Sequence, residues 1–204
     1  MGEIAVMTQK NIPQPGIKRI VSLVMAVILT LFCTACGESK SDDSAMTEEL
    51  LNSYMKALCN YNIGAMNKCC MAKREAFDDG DEAIKACRHI ASLIEWKNDN
   101  ISIDGNSAIA QVSITMTDEI EAVCVAALDD TVRILDEGAE DNPGDLLASA
   151  IKKRAAKAKT VTVSAEIAMT KVDNKWYIVK SLGVNRIISN IRTPVIAAFS
   201  LINE

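Results

Sequence analysis

The chain has 204 residues, a mass of 22.1 kDa and a net charge of −5, with 49% apolar and 24% charged residues. That length holds one ordinary domain with extensions and leaves little room for two, and the composition excludes a chain disordered throughout. The acidic balance argues against nucleic acid as a partner, and with only 4% aromatic residues the core must be built from Ala, Val, Ile, Leu and Met.

The first element is the run IVSLVMAVILTLF, residues 20–32, 13 uncharged residues where roughly 20 are needed to span a bilayer. Lys18 and Arg19 precede it and the small Thr34 and Ala35 follow, the order of a secretory signal. The segment before Lys18 is long for such a charged region, which makes Met7 a candidate start beside Met1. Cys33 and Cys36 stand next, at the spacing of a redox dithiol or half of a zinc site.

Thr34-Ala35-Cys36, with the polar GESK behind it, resembles the processing site of bacterial lipoprotein signals. Cys33 departs from that pattern, standing where Leu is usual. The resemblance implies a signal peptide over 1–35, cleavage between Ala35 and Cys36, and a diacylglycerol thioether on Cys36 with further acylation, such as palmitate, at the new amino terminus. Two or three acyl chains at about 0.8 kcal/mol per buried methylene anchor stably where one does not. Cys33 would leave with the signal, so the C-x-x-C pair would never exist in the mature chain. Loss of Lys10, Lys18, Arg19 and Glu3 would move the net charge from −5 to −7. The expected location is the bacterial cell envelope, lipid-anchored to a membrane and facing outside the cytoplasm.

Residues 36–44 then read as the lipidated cysteine and a flexible tether, because GESKSDDS cannot pack a core. Ser44 or Thr47 can cap a first helix whose apolar face is Leu50, Leu51, Tyr54, Met55 and Leu58. A short second helix is expected around Ile63 to Ala72, a break at DDGD, residues 78–81, and a third helix over about 81–95 with Ala83, Ile84, Cys87, Ile90, Ala91 and Ile94 on one stripe. The period then becomes two. Ile101 and Ile103, the turn Asp104-Gly105-Asn106, and Ala110, Val112, Ile114 and Met116 spell a hairpin.

A helix follows with Ile120, Cys124, Leu128, Thr131 and Leu135 on one side, ending at Gly138. Asn142-Pro143 offers a cap and first position for another, which gathers Lys152, Lys153, Arg154 and Lys157 at its carboxyl end, where cations suit the helix dipole. Val161, Val163, Ala165, Ile167 and Met169 alternate in a strand that Asp173-Asn174 turns into Trp176-Tyr177-Ile178-Val179. Val184, Ile187, Ile188 and Ile191 mark a closing helix, which Pro194 is expected to kink or break. The expected class is α+β: three amino-terminal helices on an antiparallel sheet of two hairpins, with a helical insertion near 118–158 and a carboxyl-terminal helix.

Two stretches, LLNSYMKALCNYNIGAMNKCC (50–70) and KVDNKWYIVKS (171–181), resemble the opening helices and final hairpin of small bacterial lipoproteins with a domain similar to nuclear transport factor 2, also described as cystatin-like. The resemblance implies a single domain over 45–204, with a curved sheet wrapped on helices into a cone. The insertion near 118–158 departs from shorter members, which have a simple turn there. Most such lipoproteins have no assigned activity, and the fold supplies none.

No metal-ligand, phosphate-loop or nucleophile motif is present, so no catalytic or metal-binding residue and no cofactor is expected. The single histidine, His89, is expected to face away from the third helix's apolar stripe. In an exported protein Cys59, Cys69, Cys70 and Cys87 are candidates for one or two disulfides, while Cys124 fits a small buried apolar residue. Tyr54, Trp96, Trp176 and Tyr177 are candidates for a pocket rim, and core packing explains each equally well. The expected function is a membrane-anchored, non-enzymatic binding or interaction domain for a small molecule, peptide or envelope protein, with a homodimer through the open sheet face as one arrangement. The alternative is an envelope enzyme or solute receptor working in the cone.

Overall fold

The structure, a computed structural model, describes residues 42–74 and 80–202. The expected signal peptide, Cys36 and most of its tether lie outside the described residues, as does part of the DDGD break. Six helices and a four-stranded sheet follow in the order α1 (Asp42–Cys59), α2 (Ile63–Cys69), α3 (Asp81–Ala91), β1 (Glu95–Asp104), β2 (Ser107–Thr117), α4 (Ile120–Asp136), α5 (Pro143–Ala155), β3 (Thr160–Val172), β4 (Lys175–Lys180) and α6 (Leu182–Ile202). The class is α+β, with two antiparallel hairpins joined in strand order β1-β2-β3-β4. The helical insertion is the pair α4 and α5, which packs on α3 and α6.

The central strands follow their alternation. Ala108, Ala110, Val112, Ile114 and Met116 of β2 face the helices, opposite Met169, Ile167, Ala165, Val163 and Val161 of β3. The other face carries Gln111, Ser113 and Thr115 beside Glu166, Ser164 and Thr162, with hydrogen bonds between Gln111 and Glu166 at 2.7 Å and between the Thr115 and Thr162 hydroxyls at 2.8 Å. That open face is therefore largely polar along the middle of the sheet.

β1 begins at Glu95, six residues before the alternation visible in the sequence. α3 stops at Ala91, and the tight bonds from Leu93 N to Ile90 O and from Ile94 N to Ala91 O turn the chain into the strand. A bulge between Asn98 and Asn100 then places Trp96 and Asn98 on the same face as Ile101 and Ile103. One extra residue shifts the period by one, so the two halves of the strand are out of phase in sequence and in phase in space.

α6 runs through Pro194 without ending. Proline removes one helical hydrogen bond, but Ile191 and Val195 on either side are fully buried and Ala198 and Phe199 nearly so, and this packing holds both halves in place. At the helix start Gly183 lies against β3, so close that an added Cβ would stand 2.6 Å from the Ala165 Cβ.

The start of α1 is fixed to the second hairpin by charge. Lys171 Nζ and Trp176 Nε1 both donate to Asp43 Oδ1, at 2.6 and 2.9 Å. These two hydrogen bonds hold the Asp43 carboxyl below its ordinary pKa of 3.8. A depressed folded value means that the unfolded chain takes up its proton first, so this contribution is complete above the ordinary value and is lost as pH falls through the folded one. Urea unfolding between about pH 5 and pH 2 should show a smaller loss of stability for Asp43→Asn than for wild type. Equal losses would remove Asp43 from the acid response.

Candidate functional site

The inner face of β3 is covered unevenly. Ala165, Ile167 and Met169 are buried, whereas Val163 and Val161, on the same face, remain 36% and 37% exposed. They form one wall of a groove of about 740 Å³ between the strand ends, α4 and the second half of α6. Val125 and Leu201, 54% and 60% exposed, stand on the opposing helices, and Pro194 contributes to the α6 wall. Side chains of this size left open together mark a binding surface more often than a free one.

One end of the groove is acidic. Asp118, Glu119 and Glu121 line it where β2 passes into α4, and no Lys, Arg or His is among the lining residues. Glu119 takes a left-handed backbone with φ 49°, and Asp118 Oδ1 accepts from its N–H at 2.9 Å. This turn directs the chain from the sheet into α4. Cys124, deeper in the groove, has its thiol pushed up to about 12 by burial, so it is protonated at neutral pH and is no nucleophile there.

A second constellation, which shares no residue with the groove lining, joins α1 to the start of α6. Tyr54 of α1 is fully buried, its hydroxyl 2.6 Å from Ser181 Oγ and accepting from Arg74 Nη2 at 2.6 Å. Burial is the main reason its pKa lies above the ordinary 10.0. Arg74 also reaches Asn185 Oδ1 and, at 3.3 Å, Ser181 Oγ.

The four aromatic candidates are dispersed. Tyr54 belongs to this polar cluster, Trp96 is half-buried on β1, Trp176 is buried against α1, and Tyr177 is half-buried with Lys175 Nζ 5.2 Å from its ring centre. None of them lines the groove. Among the described residues no disulfide joins Cys59, Cys69, Cys70 or Cys87. The Cys59 and Cys69 thiols turn onto the carbonyls of Ile94 and Ala65 instead, at 3.6 and 3.7 Å.

His89 is half-buried rather than freely exposed. That burial, with Lys152 and Lys85 nearby, lowers its pKa below 6.5, which leaves it neutral at pH 7. Among the described residues no cluster of His, Cys, Asp and Glu could hold a metal ion.

The groove was missed in sequence because Val161 and Val163 continue the same alternation as their buried neighbours. Arg74 was missed because a lone arginine after a short helix carries no pattern.

Among solved structures, the chain is similar to an NTF-2 like protein of unknown function from Shewanella oneidensis MR-1. It is 12% identical, with a TM-score of 0.37 over 68% of this chain and 96% of that one. No family model matches the chain, and no curated protein matches it.

Proposed function

We propose that this chain is an exported lipoprotein, held at the outer side of a bacterial membrane through Cys36, whose domain is of the nuclear-transport-factor-2-like kind and binds an apolar ligand in the groove between β3, α4 and α6. The observation that carries the binding reading is the uncovered inner face of β3: Val161 and Val163 belong to the core by register yet open onto solvent together with Val125 and Leu201. Four such side chains, covered by a ligand, would each contribute on the order of 1 kcal/mol from burial alone. The tether rests on the Thr34-Ala35-Cys36 pattern. No helix among the described residues is long and apolar enough to cross a membrane, and an acyl anchor requires none.

The groove reading is tested with the neutral polarity-sensitive dye N-phenyl-1-naphthylamine on the compact unit Asp42–Glu204. Saturable binding that Val163→Arg weakens at least about tenfold, the equivalent of about 1.4 kcal/mol, is the expected result. Equal binding by both chains would place the dye elsewhere and sink the reading. Independently, the intact mass of membrane-fraction protein should correspond to a chain beginning at Cys36 with added acyl groups, and Cys36→Ser should abolish it.

A further inference from the structure

Arg74 is held where its charge has no counter-charge among the described residues. The Asn67 side chain fixes its backbone from both sides, with Oδ1 accepting from Arg74 N at 2.8 Å and Nδ2 donating to Arg74 O at 2.9 Å. The chain just before it is pinned to β4 by the bond from Met71 N to Ile178 O at 3.0 Å. The guanidinium is thereby directed at Tyr54, Ser181 and Asn185, and Nη1 lies 3.7 Å from Met66 Sδ.

Every one of these partners is neutral. None of the ion pairs among the described residues includes Arg74, whereas Lys85, Lys97, Arg133, Arg154 and Lys171 each have a carboxylate. Two N–H groups on Nη2 serve three acceptors, and Nε and one N–H of Nη1 have no partner among the described residues. A half-buried guanidinium that meets only neutral acceptors retains most of its attraction for an anion, because a charged acceptor gives a bond roughly twice as strong as a neutral one.

We propose that Arg74, Ser181 and Asn185 form a binding site for a small oxyanion group, a carboxylate or a phosphate, separate from the groove, whose lining includes none of the three. The exposed Asn185 is the side chain that yields. The anion replaces Asn185 Oδ1 on Arg74 and takes the edge formed by Nη2 and Nε. The amide then turns to donate its Nδ2 protons, and the Ser181 hydroxyl, now relieved of Asn185 Oδ1 at 3.5 Å, supplies a further donor. Tyr54 stays in place as the buried acceptor that orients Arg74. Both Ser181 and Asn185 stand at the amino-terminal end of α6, whose partial positive charge adds to the field.

The test uses the full chain in non-ionic detergent, with thermal unfolding followed by far-ultraviolet circular dichroism. Inorganic phosphate or succinate is added against sodium chloride of equal ionic strength. A ligand that binds only the folded state raises the unfolding midpoint, by about 5 °C at roughly 100 times its Kd for a chain of this size. Wild type should show that rise with at least one of the two anions, and the one that acts names the group as phosphate or carboxylate.

Asn185→Asp places a carboxylate on Arg74 from within the chain. It should melt above wild type in chloride and lose the response to both anions. Arg74→Gln should lose the response as well, and Asn185→Asp keeps the test informative if Arg74→Gln does not fold. A wild-type midpoint unmoved by either anion, or a rise of equal size in Asn185→Asp, would overturn the site and leave Arg74 as a structural tie between α1 and α6.

Discussion

Replacing Trp176 with alanine is expected to lower stability by about 3–5 kcal/mol, a large part of the 5–15 kcal/mol that holds a domain of this size together. Trp176 is 3% exposed, stands opposite Lys171 in the β3–β4 pair, and donates its Nε1–H to Asp43. Alanine would therefore open a cavity and remove one of the two donors that keep Asp43 charged. Trp176→Phe separates the two effects. It retains most of the packing and loses only the hydrogen bond to Asp43. Denaturant midpoints of the three chains decide the matter: a Phe variant as unstable as the Ala variant would assign the whole effect to the bond with Asp43.

Gly183→Ala should destabilise by about 1–3 kcal/mol although alanine is ordinarily the better helix former by about 1 kcal/mol. The new methyl would stand 2.6 Å from the Ala165 Cβ and 3.3 Å from its Cα. Neither atom can swing aside, since Ala165 has no side-chain rotation and its strand is paired on β2. The position is not one of positive φ, so the effect lies in the close approach of helix to strand. Ala165→Gly in the same chain should recover most of the loss, less the roughly 0.5–1 kcal/mol that glycine costs inside a strand. A double variant as unstable as Gly183→Ala alone would show that the contact is not the cause.

Much of the architecture is legible in the order of residues. The period of 3.6 in α1, α3 and α4 and the period of two in β2 and β3 name the faces that are buried, and Asn142-Pro143 starts α5 as the sequence indicates, the Asn142 side chain accepting from Asp145 N at 3.1 Å. Where local signals conflict, the sequence misleads. The bulge in β1 hides half of a strand behind a phase shift, and of the kink or break that Pro194 signals, the break does not occur, the helix continuing past it with Ile191, Val195, Ala198 and Phe199 buried.

The functional features lie further from any local pattern. Val161 and Val163 differ from Ala165 and Ile167 only in whether a helix lies over them, which depends on where α4 and α6 end relative to β3. Tyr54 occupies an apolar helix face in sequence, yet its hydroxyl meets Arg74, 20 residues on, and Ser181, 127 residues on. By itself the sequence determined which face of each helix and strand is apolar, because that depends only on side-chain spacing along a regular backbone. The groove and the Arg74 cluster were decided by tertiary structure, because coverage and polar partnership are properties of segments brought together from distant parts of the chain.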